Sequence, residues 1–550
     1  VELLVGLFGY LSVVLHGVAG AAQATAIGSA LFLVLLAQPR AWLLGAEGAQ
    51  VAGAAARIGT WAALLLAAAA AAGLALQVAV LATTLDTSIE DALRARFALA
   101  AMTRTGAALL LAAILSGLGG RAAWWMLLPV AAAILAAATL TTHAAARTEH
   151  GPALMAVAAL HQLGAALWIG GIPAFLAALA RTSGPGPWHV VGTRFSTLCI
   201  AGVACLAAAA AAMAWAFVGE PASLYGTAYG VMVAAKIAMT AALLLLGLAN
   251  FRMLRRLGRD RTQGINRVRR FAEVEFAVGI VVFFAAASLT SVPPSVDLTE
   301  DRVTLAELIE RNTPRMPRWE SPDRDTLAIP ALQARLDREA QATATRPPAA
   351  YVPGSGVLVP RNAADIAWSE YNHQWSGFFV LAIALLALLA RAGLRPARHW
   401  PLLFLGLAAF IFIRSDAEAW PLGSISLLDS IRDVEVLQHR LVVLLLVAFG
   451  IFEWRVRATG RRTGWQPLVF PVGCGLGGLI LLTHTHALAN VKEELLIEIT
   501  HTPLALAGIA AGAARYLELK LEPPGGRVAG WIWPLCLLFA AALLILYREA

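Results

Sequence analysis

Residues 227–292 decide the fold. They read TAYGVMVAAKIAMTAALLLLGLAN (227–250), then FRMLRRLGRDRTQGINRVRR (251–270), then FAEVEFAVGIVVFFAAASLTSV (271–292). Two apolar runs, each long enough to cross a bilayer as a helix, flank a loop with eight arginines. The arginines are Arg252, Arg255, Arg256, Arg259, Arg261, Arg267, Arg269 and Arg270. Basic loops stay on the cytoplasmic side, so this loop sets the orientation of both neighbours.

The rest of the 550-residue chain repeats that pattern. It is 59% hydrophobic and 14% charged, against roughly 25% charged in soluble domains. This composition predicts an all-α polytopic membrane bundle. The net charge of +8 then belongs to cytoplasmic loops and does not point to nucleic acid. Fourteen spans are predicted, near 3–37, 58–82, 97–118, 122–142, 152–180, 191–218, 227–250, 270–292, 375–394, 400–414, 433–455, 467–488, 499–518 and 529–547. The first run is too long and lacks the basic start of a cleavable signal, so it reads as a membrane helix.

Stepping outward from the arginine loop, Arg391, Arg395 and Arg398 fall inside, as do Arg455, Arg457, Arg461 and Arg462. The acidic turns at Asp86 to Asp91, Asp416 to Glu418 and Glu493 to Glu494 fall outside. Both termini are then extracytoplasmic. A polar interruption at 293–366, with amphipathic patterns at 303–311 and 325–341, separates an eight-span part (1–292) from a six-span part (367–550). The four cysteines lie in apolar runs without a CxxC pair and read as small buried hydrophobes.

The chemistry concentrates in the histidines, of which there are eleven. HTHALANVKEELLIEITH (484–501) carries His484, His486 and His501 with Glu493, Glu494 and Glu498. On a helix starting near Val491, Glu494, Glu498 and His501 share one stripe. His373, in SEYNHQWSG, precedes span nine, and His439, in DVEVLQHR, lies in the first turns of span eleven with Glu435 one turn before it. The predicted topology brings His373, His439, His484, His486 and His501 to one membrane face. Imidazole and carboxylate together are metal-ligand chemistry, and ionisable residues in spans are functional candidates. Each histidine also has a plain structural reading, as an interfacial side chain bonded to backbone.

A second set is deeper. His16 lies in span one, and His161 lies in span five on one face with Gly164 and Trp168. The small residue would let another helix or a cofactor approach the imidazole. His143 and His150 flank an outer loop from which a cation could pass toward His161. Met155, Met213, Met232 and Met239 are soft donors for Cu(I), or packing. There is no GxxxxGK[ST], GxSxG or HExxH motif, which disfavours ATP-driven transport by this chain alone.

HQLGAALWIGG (161–171), Arg194–Phe195–Ser196, Thr227 with Tyr229–Gly230, Lys236, Asn250, Glu275 and Pro293–Pro294 resemble, in this order, the copper resistance protein D (CopD) family over about 140 residues. The six-span part resembles extensions fused to some members. The resemblance implies a bacterial inner-membrane protein that handles copper, with a small periplasmic copper-binding protein as partner. It implies a role for His161, supported by Trp168 and Lys236. Two functions follow. One is copper uptake or relay from the periplasm through His and Met sites, a transporter rather than an enzyme. The other is a membrane oxidoreductase with copper or haem b, ligated by His439 with His484 or His501, or by His16 with His161.

Overall fold

The computed structural model describes residues 7–39, 44–85, 87–117, 121–259, 264–298, 302–327, 362–461, 463–483 and 492–549, with the backbone alone for 121–123, 325, 492–494 and 497. Among the described residues the protein is all-α, with a single isolated bridge between Ala419 and Ile425. The α-helices of eight residues or more are α1 (Phe8–Phe32), α2 (Ala46–Thr84), α3 (Arg96–Leu115), α4 (Leu127–Thr139), α5 (Gly151–Ala165), α6 (Ile172–Leu179), α7 (Pro185–Phe217), α8 (Ala228–Arg259), α9 (Asn266–Ser288), α10 (Leu305–Asn312), α11 (Ala363–Arg391), α12 (Leu403–Arg414), α13 (Val434–Thr459), α14 (Val469–Leu482), α15 (Lys492–Lys520) and α16 (Gly525–Ile545). Alanine and leucine dominate them, and a helix satisfies its backbone groups without water.

Eleven segments among the described residues are long and apolar enough to cross a membrane. The fourteen of the sequence reading are not reached. Among the described residues the predicted spans at 122–142 and 467–488 correspond to the shorter apolar helices Trp124–Thr139 and Gln466–Leu482, and residues 484–488 of the second lie outside the described residues. The predicted span at 499–518 lies within α15, whose start adjoins residues outside the described set. Many large apolar side chains face outward, among them Trp61, Ile200, Trp215, Leu245 and Leu444. On a membrane bundle that outer surface meets lipid. The polar segment contains α10, whose start is fixed by a reciprocal capping box between Thr304 and Glu307. Of the predicted helix at 325–341, only a short turn at Arg324–Thr326 falls among the described residues.

The chain divides into two compact units. The N-terminal unit is Leu11–Pro221 with Lys236–Asp297, and the C-terminal unit is Leu298–Ala550 with Val1–Tyr10 and Ala222–Ala235. In the N-terminal unit small residues bring helix backbones close. Gly28 of α1 lies against the backbone of Gly170, in the π turn that follows α5. Gly164 of α5 lies against the carbonyl of Gly202 of α7, and a Cβ on either would collide with the other helix. Without a hydrophobic force between helices in lipid, such close approach is what holds them. In the C-terminal unit an aromatic core of Trp400, Phe404, Phe449, Phe470 and Trp533 joins α12, α13, α14 and α16. Trp400 and Trp533 lie 5.4 Å apart between ring centroids.

Candidate metal centre

The C-terminal unit brings three of the predicted histidines to one end. His373 stands near the start of α11 because the helix begins at the Asn362 cap, whose side chain accepts from the N–H groups of Ala364 and Asp365. The ring of His373 stacks on Tyr547 at 3.9 Å between centroids. His501 of α15 meets the same two rings edge-on, at 5.6 Å from His373 and 5.8 Å from Tyr547. His373 Nδ1 lies 2.9 Å from the carbonyl of Ser369. A carbonyl can only accept, so Nδ1 carries the proton and Nε2 is the lone-pair nitrogen. Ser369 Oγ in turn donates to Glu549, which also accepts from the Tyr547 hydroxyl at 2.9 Å.

His439 enters from α13, one turn after its start. Asp433 caps that start by accepting from the N–H groups of Glu435 and Val436. His439 Nδ1 donates to Asp416 Oδ1 at 2.8 Å, which fixes the same tautomer as in His373. Its charge and that of Glu435 reach the His373 ring. The helices explain why His439 and His501 lie level. α13 and α15 are separated by one short connecting helix, α14, and run in the same direction. Arg515 donates to Glu453 at 2.8 Å across 62 residues, and His439 and His501 are separated by the same interval one end higher.

Around this end the charge is mixed. Burial raises the Asp416 carboxyl, but hydrogen bonds from His439 and Ser415 and the charges of His439 and Arg440 outweigh it and hold it below the usual carboxylate range. Glu418 goes the other way. Burial raises it, and the neighbouring charges of Asp433, Glu435 and Asp416 add to the rise. Asp433 is raised by burial and by Glu435 and Asp416, against the N–H groups it accepts. Residues 318–324 lie over the same end. Arg318 pairs with Glu370 at 2.5 Å, and its backbone N–H donates to Gln374 at 2.6 Å. Arg414 lies 3.8 Å above the Trp368 ring and donates to Ser321.

One turn before His501 on α15, Glu498 is 2% exposed and one of its oxygens has no hydrogen-bond partner among the described residues. Thr502 donates to the other at 3.5 Å. Glu435 is exposed. His484 and His486 lie outside the described residues, and so does the side chain of Glu494. The haem pairing of His439 with His484 falls outside with them. Among the described residues no three His, Cys, Asp or Glu side chains stand close enough to enclose a metal ion.

The deeper set forms no group of three or more His, Cys, Asp or Glu side chains among the described residues. His16 is exposed and its Nδ1 lies 2.8 Å from the carbonyl of Ser12 on its own helix. What joins α1 to α5 is Gln23, which donates to Gln162 at 2.7 Å and accepts from Arg104 at 2.9 Å. His161 keeps a buried Nδ1 with no partner among the described residues, within electrostatic reach of Lys236. Gly164 on its face admits α7, as its small size predicts. Trp168 turns elsewhere, donating to Glu275 at 2.5 Å. His143 bonds the carbonyl of Leu289 at 3.0 Å, and His150 is an exposed residue in left-handed backbone at the start of α5. Met232 and Met239 are buried at 4% each.

Sequence reasoning missed Tyr547, Ser369 and Glu549 beside His373. It also missed an ion network in the C-terminal unit. Glu453 accepts from Arg515 and Arg457, both at 2.8 Å, and Glu518 accepts from Arg515 at 2.7 Å, Arg391 at 2.5 Å and Trp533 at 2.7 Å. The available signal was the presence of Glu453 and Arg515 inside apolar runs.

Comparison with known proteins bears on one part of the chain. No curated protein and no solved structure matches it. The family described as copper resistance protein D matches residues 189–289. That stretch runs from α7 through α8 to the end of α9 and includes Cys199, Lys236, Asn250 and Glu275. The protein is thus an all-α membrane bundle that carries a copper resistance protein D (CopD) region, with additional sequence before and after it.

Proposed function

We propose that this protein handles copper as cargo, as an uptake or relay protein of the bacterial inner membrane. His373, His439 and His501 take the ion at the periplasmic end of the C-terminal unit. The observation that carries this reading is the pair of imidazoles whose Nδ1 atoms are bound by acceptors, His373 by the Ser369 carbonyl and His439 by Asp416. Metal-binding histidines are held in this way, with the second nitrogen left for the ion. His501, edge-on to His373 at 5.6 Å, supplies an imidazole from a second helix. Cu(I) accepts low coordination numbers, and a relay needs weak serial sites rather than one closed cage. The absence of a three-ligand cage among the described residues is compatible with such transit.

His484 and His486 belong to the link between α14 and α15 by sequence and remain proposed members of the set. Glu435 and Glu494 at that end would add negative charge that attracts a cation, and Glu498, one turn before His501, would add a buried carboxyl beside them. His161, within electrostatic reach of Lys236, and His16 are proposed for the N-terminal unit only as points along a route, with Trp168 in a supporting role. A small periplasmic copper-binding protein is the expected donor.

Cellular copper tests this reading. Cells expressing the wild-type chain and cells expressing H373A/H501A are grown in added copper, and membrane copper and iron are measured per purified chain. Copper in the wild type, lost in the variant, with no iron, supports the relay. Iron in place of copper, or copper unaffected by the two substitutions, contradicts it.

A further inference from the structure

The CopD region holds a buried carboxyl group that differs from the others in its partners. Glu275 of α9 is 4% exposed and lies within the membrane-spanning segment Asn266–Asp297. Glu453 and Glu518 in the C-terminal unit each face two guanidinium groups. Glu275 has no cationic partner among the described residues. Its Oε1 accepts from the indole N–H of Trp168 at 2.5 Å, and its Oε2 accepts from Nδ2 of Asn250 at 3.2 Å. Both donors are neutral. A lone ionised carboxylate in hydrocarbon costs several kcal/mol, so such a group is retained for what it exchanges.

A second observation concerns Asn250. It is 7% exposed, and its Oδ1 is buried without a hydrogen-bond partner among the described residues. An orphaned carbonyl oxygen beside a carboxyl group is costly as it stands. It has a use if the carboxyl gains a proton. A carboxamide has donors on one side and an acceptor on the other. With Glu275 ionised, Nδ2 faces Oε2, as observed. With Glu275 protonated on Oε2, the amide turns over and Oδ1 accepts the new O–H. Asn250 can therefore satisfy either form. Gly247, one turn earlier on α8, leaves room: a Cβ there would stand 3.4 Å from Glu275 Oε1 and 3.9 Å from the Trp168 ring.

We propose that Glu275 is a proton-exchange site of the CopD region, in which Asn250 turns over its carboxamide as the carboxyl gains or loses a proton and Trp168 holds the other oxygen. The step balances simply. One proton from water adds to Oε2, forming an O–H bond, and the same bond breaks on release. The surrounding groups permit this. From α7, the Cys199 thiol lies within electrostatic reach of Glu275. The Trp168 segment and α8 contribute the two neutral donors, and α6, which packs along α9, carries no titratable side chain. Glu273 on the same helix is engaged by Arg269 and Arg270. The proposal goes beyond the copper reading and does not depend on the histidines of the C-terminal unit.

Infrared difference spectroscopy of the full chain in lipid nanodiscs tests it, with pH as the only variable. The expected result is a protonated-carboxyl carbonyl band that disappears on alkalinisation and is absent from E275Q. In W168F, which loses a donor that both forms accept and the ionised form accepts more strongly, the pH of its disappearance is displaced. If E275Q fails to fold, E275D carries the test, because a shorter acid must move the band without abolishing it. A band unchanged in E275D and W168F, or a wild type with no titrating carboxyl band, overturns the proposal. Copper binding by the same samples, measured separately, keeps its failure distinct from failure of the copper reading.

Discussion

Asp416 Oδ1 accepts the Nδ1 proton of His439 at 2.8 Å, across 23 residues that include the whole turn between α12 and α13. The Asp416 side chain is 6% exposed and that of His439 is 32% exposed. The pair fixes which nitrogen of His439 faces a ligand. Removing the acceptor, as in D416N, leaves the ring in place but loosens its tautomer and orientation. A loss of about 10–100-fold in copper affinity is expected, the usual effect of such outer partners. Titration with a chromophoric copper chelator measures it, and an unchanged affinity would detach Asp416 from the site.

The same pair gives a pH dependence of stability. The folded-state Asp416 carboxyl lies below its ordinary value, because His439, Ser415 and Arg440 outweigh the effect of burial. Its contribution is therefore fully present above the ordinary aspartate value and is lost as pH falls through the lowered value. Thermal unfolding in detergent should show wild type and D416N converging in acid and separating as pH rises.

Glu418 has the opposite sign. Burial and then the charges of Asp433, Glu435 and Asp416 raise it, so its ionisation opposes folding. The cost begins as pH rises past the ordinary glutamate value and is complete above the raised one. E418Q should raise the unfolding temperature at neutral pH and leave it unchanged in acid. An equal effect at both would show that packing rather than charge is responsible.

The ion network around Glu453 is a stability element. Glu453 and Arg515 have side chains 1% and 6% exposed. Removing Glu453 leaves three guanidinium groups, Arg391, Arg457 and Arg515, to the one carboxylate Glu518, and a buried charge left uncompensated costs about 3–5 kcal/mol. E453Q should lower the unfolding temperature strongly, and E453Q/R515M, which also removes one guanidinium, should recover part of the loss. The double variant being worse than E453Q would contradict the pairing.

Close helix contact makes a fourth set of variants informative. A Cβ on Gly170 would overlap the Ala24 carbonyl, and one on Gly28 would overlap the Gly170 carbonyl. G170A and G28A should each cost about 1–3 kcal/mol through overpacking. G106A, at a glycine of α3 with nothing within 4 Å of a built Cβ, should be neutral or slightly stabilising. Equal effects at the three positions would refute the close approach of α1 to the Gly170 turn.

The membrane class was legible because composition and the arginine-rich loop leave no soluble alternative. The number of spans was less so: Trp124–Thr139 and Gln466–Leu482 are shorter than hydropathy suggests, since a run of apolar residues does not say where its helix begins. His373, His439 and His501 could be singled out as imidazoles at the ends of apolar runs. Their partners could not. Tyr547 and Glu549 lie some 170 residues from His373 along the chain, and a tyrosine at the end of an apolar run or a glutamate just after it carries no signal of what folds against it. Asn250 and Glu275 were visible as features of the CopD resemblance. Their hydrogen bond, across 25 residues and two antiparallel helices, needed the packing of α8 on α9. His16 and His161 were legible as histidines in apolar runs, whereas the bond between their helices from Gln23 to Gln162 was not, because it depends on how the two helices pack.

The central claim is that His373, His439 and His501 receive copper. X-ray absorption at the copper edge of the full chain loaded with Cu(I) tests it most directly, in wild type and in H373A/H439A/H501A. The account predicts imidazole scattering around copper in the wild type and its loss, with loss of the bound metal, in the triple variant. A sulfur-only environment, or imidazole scattering that survives the triple substitution, would contradict it.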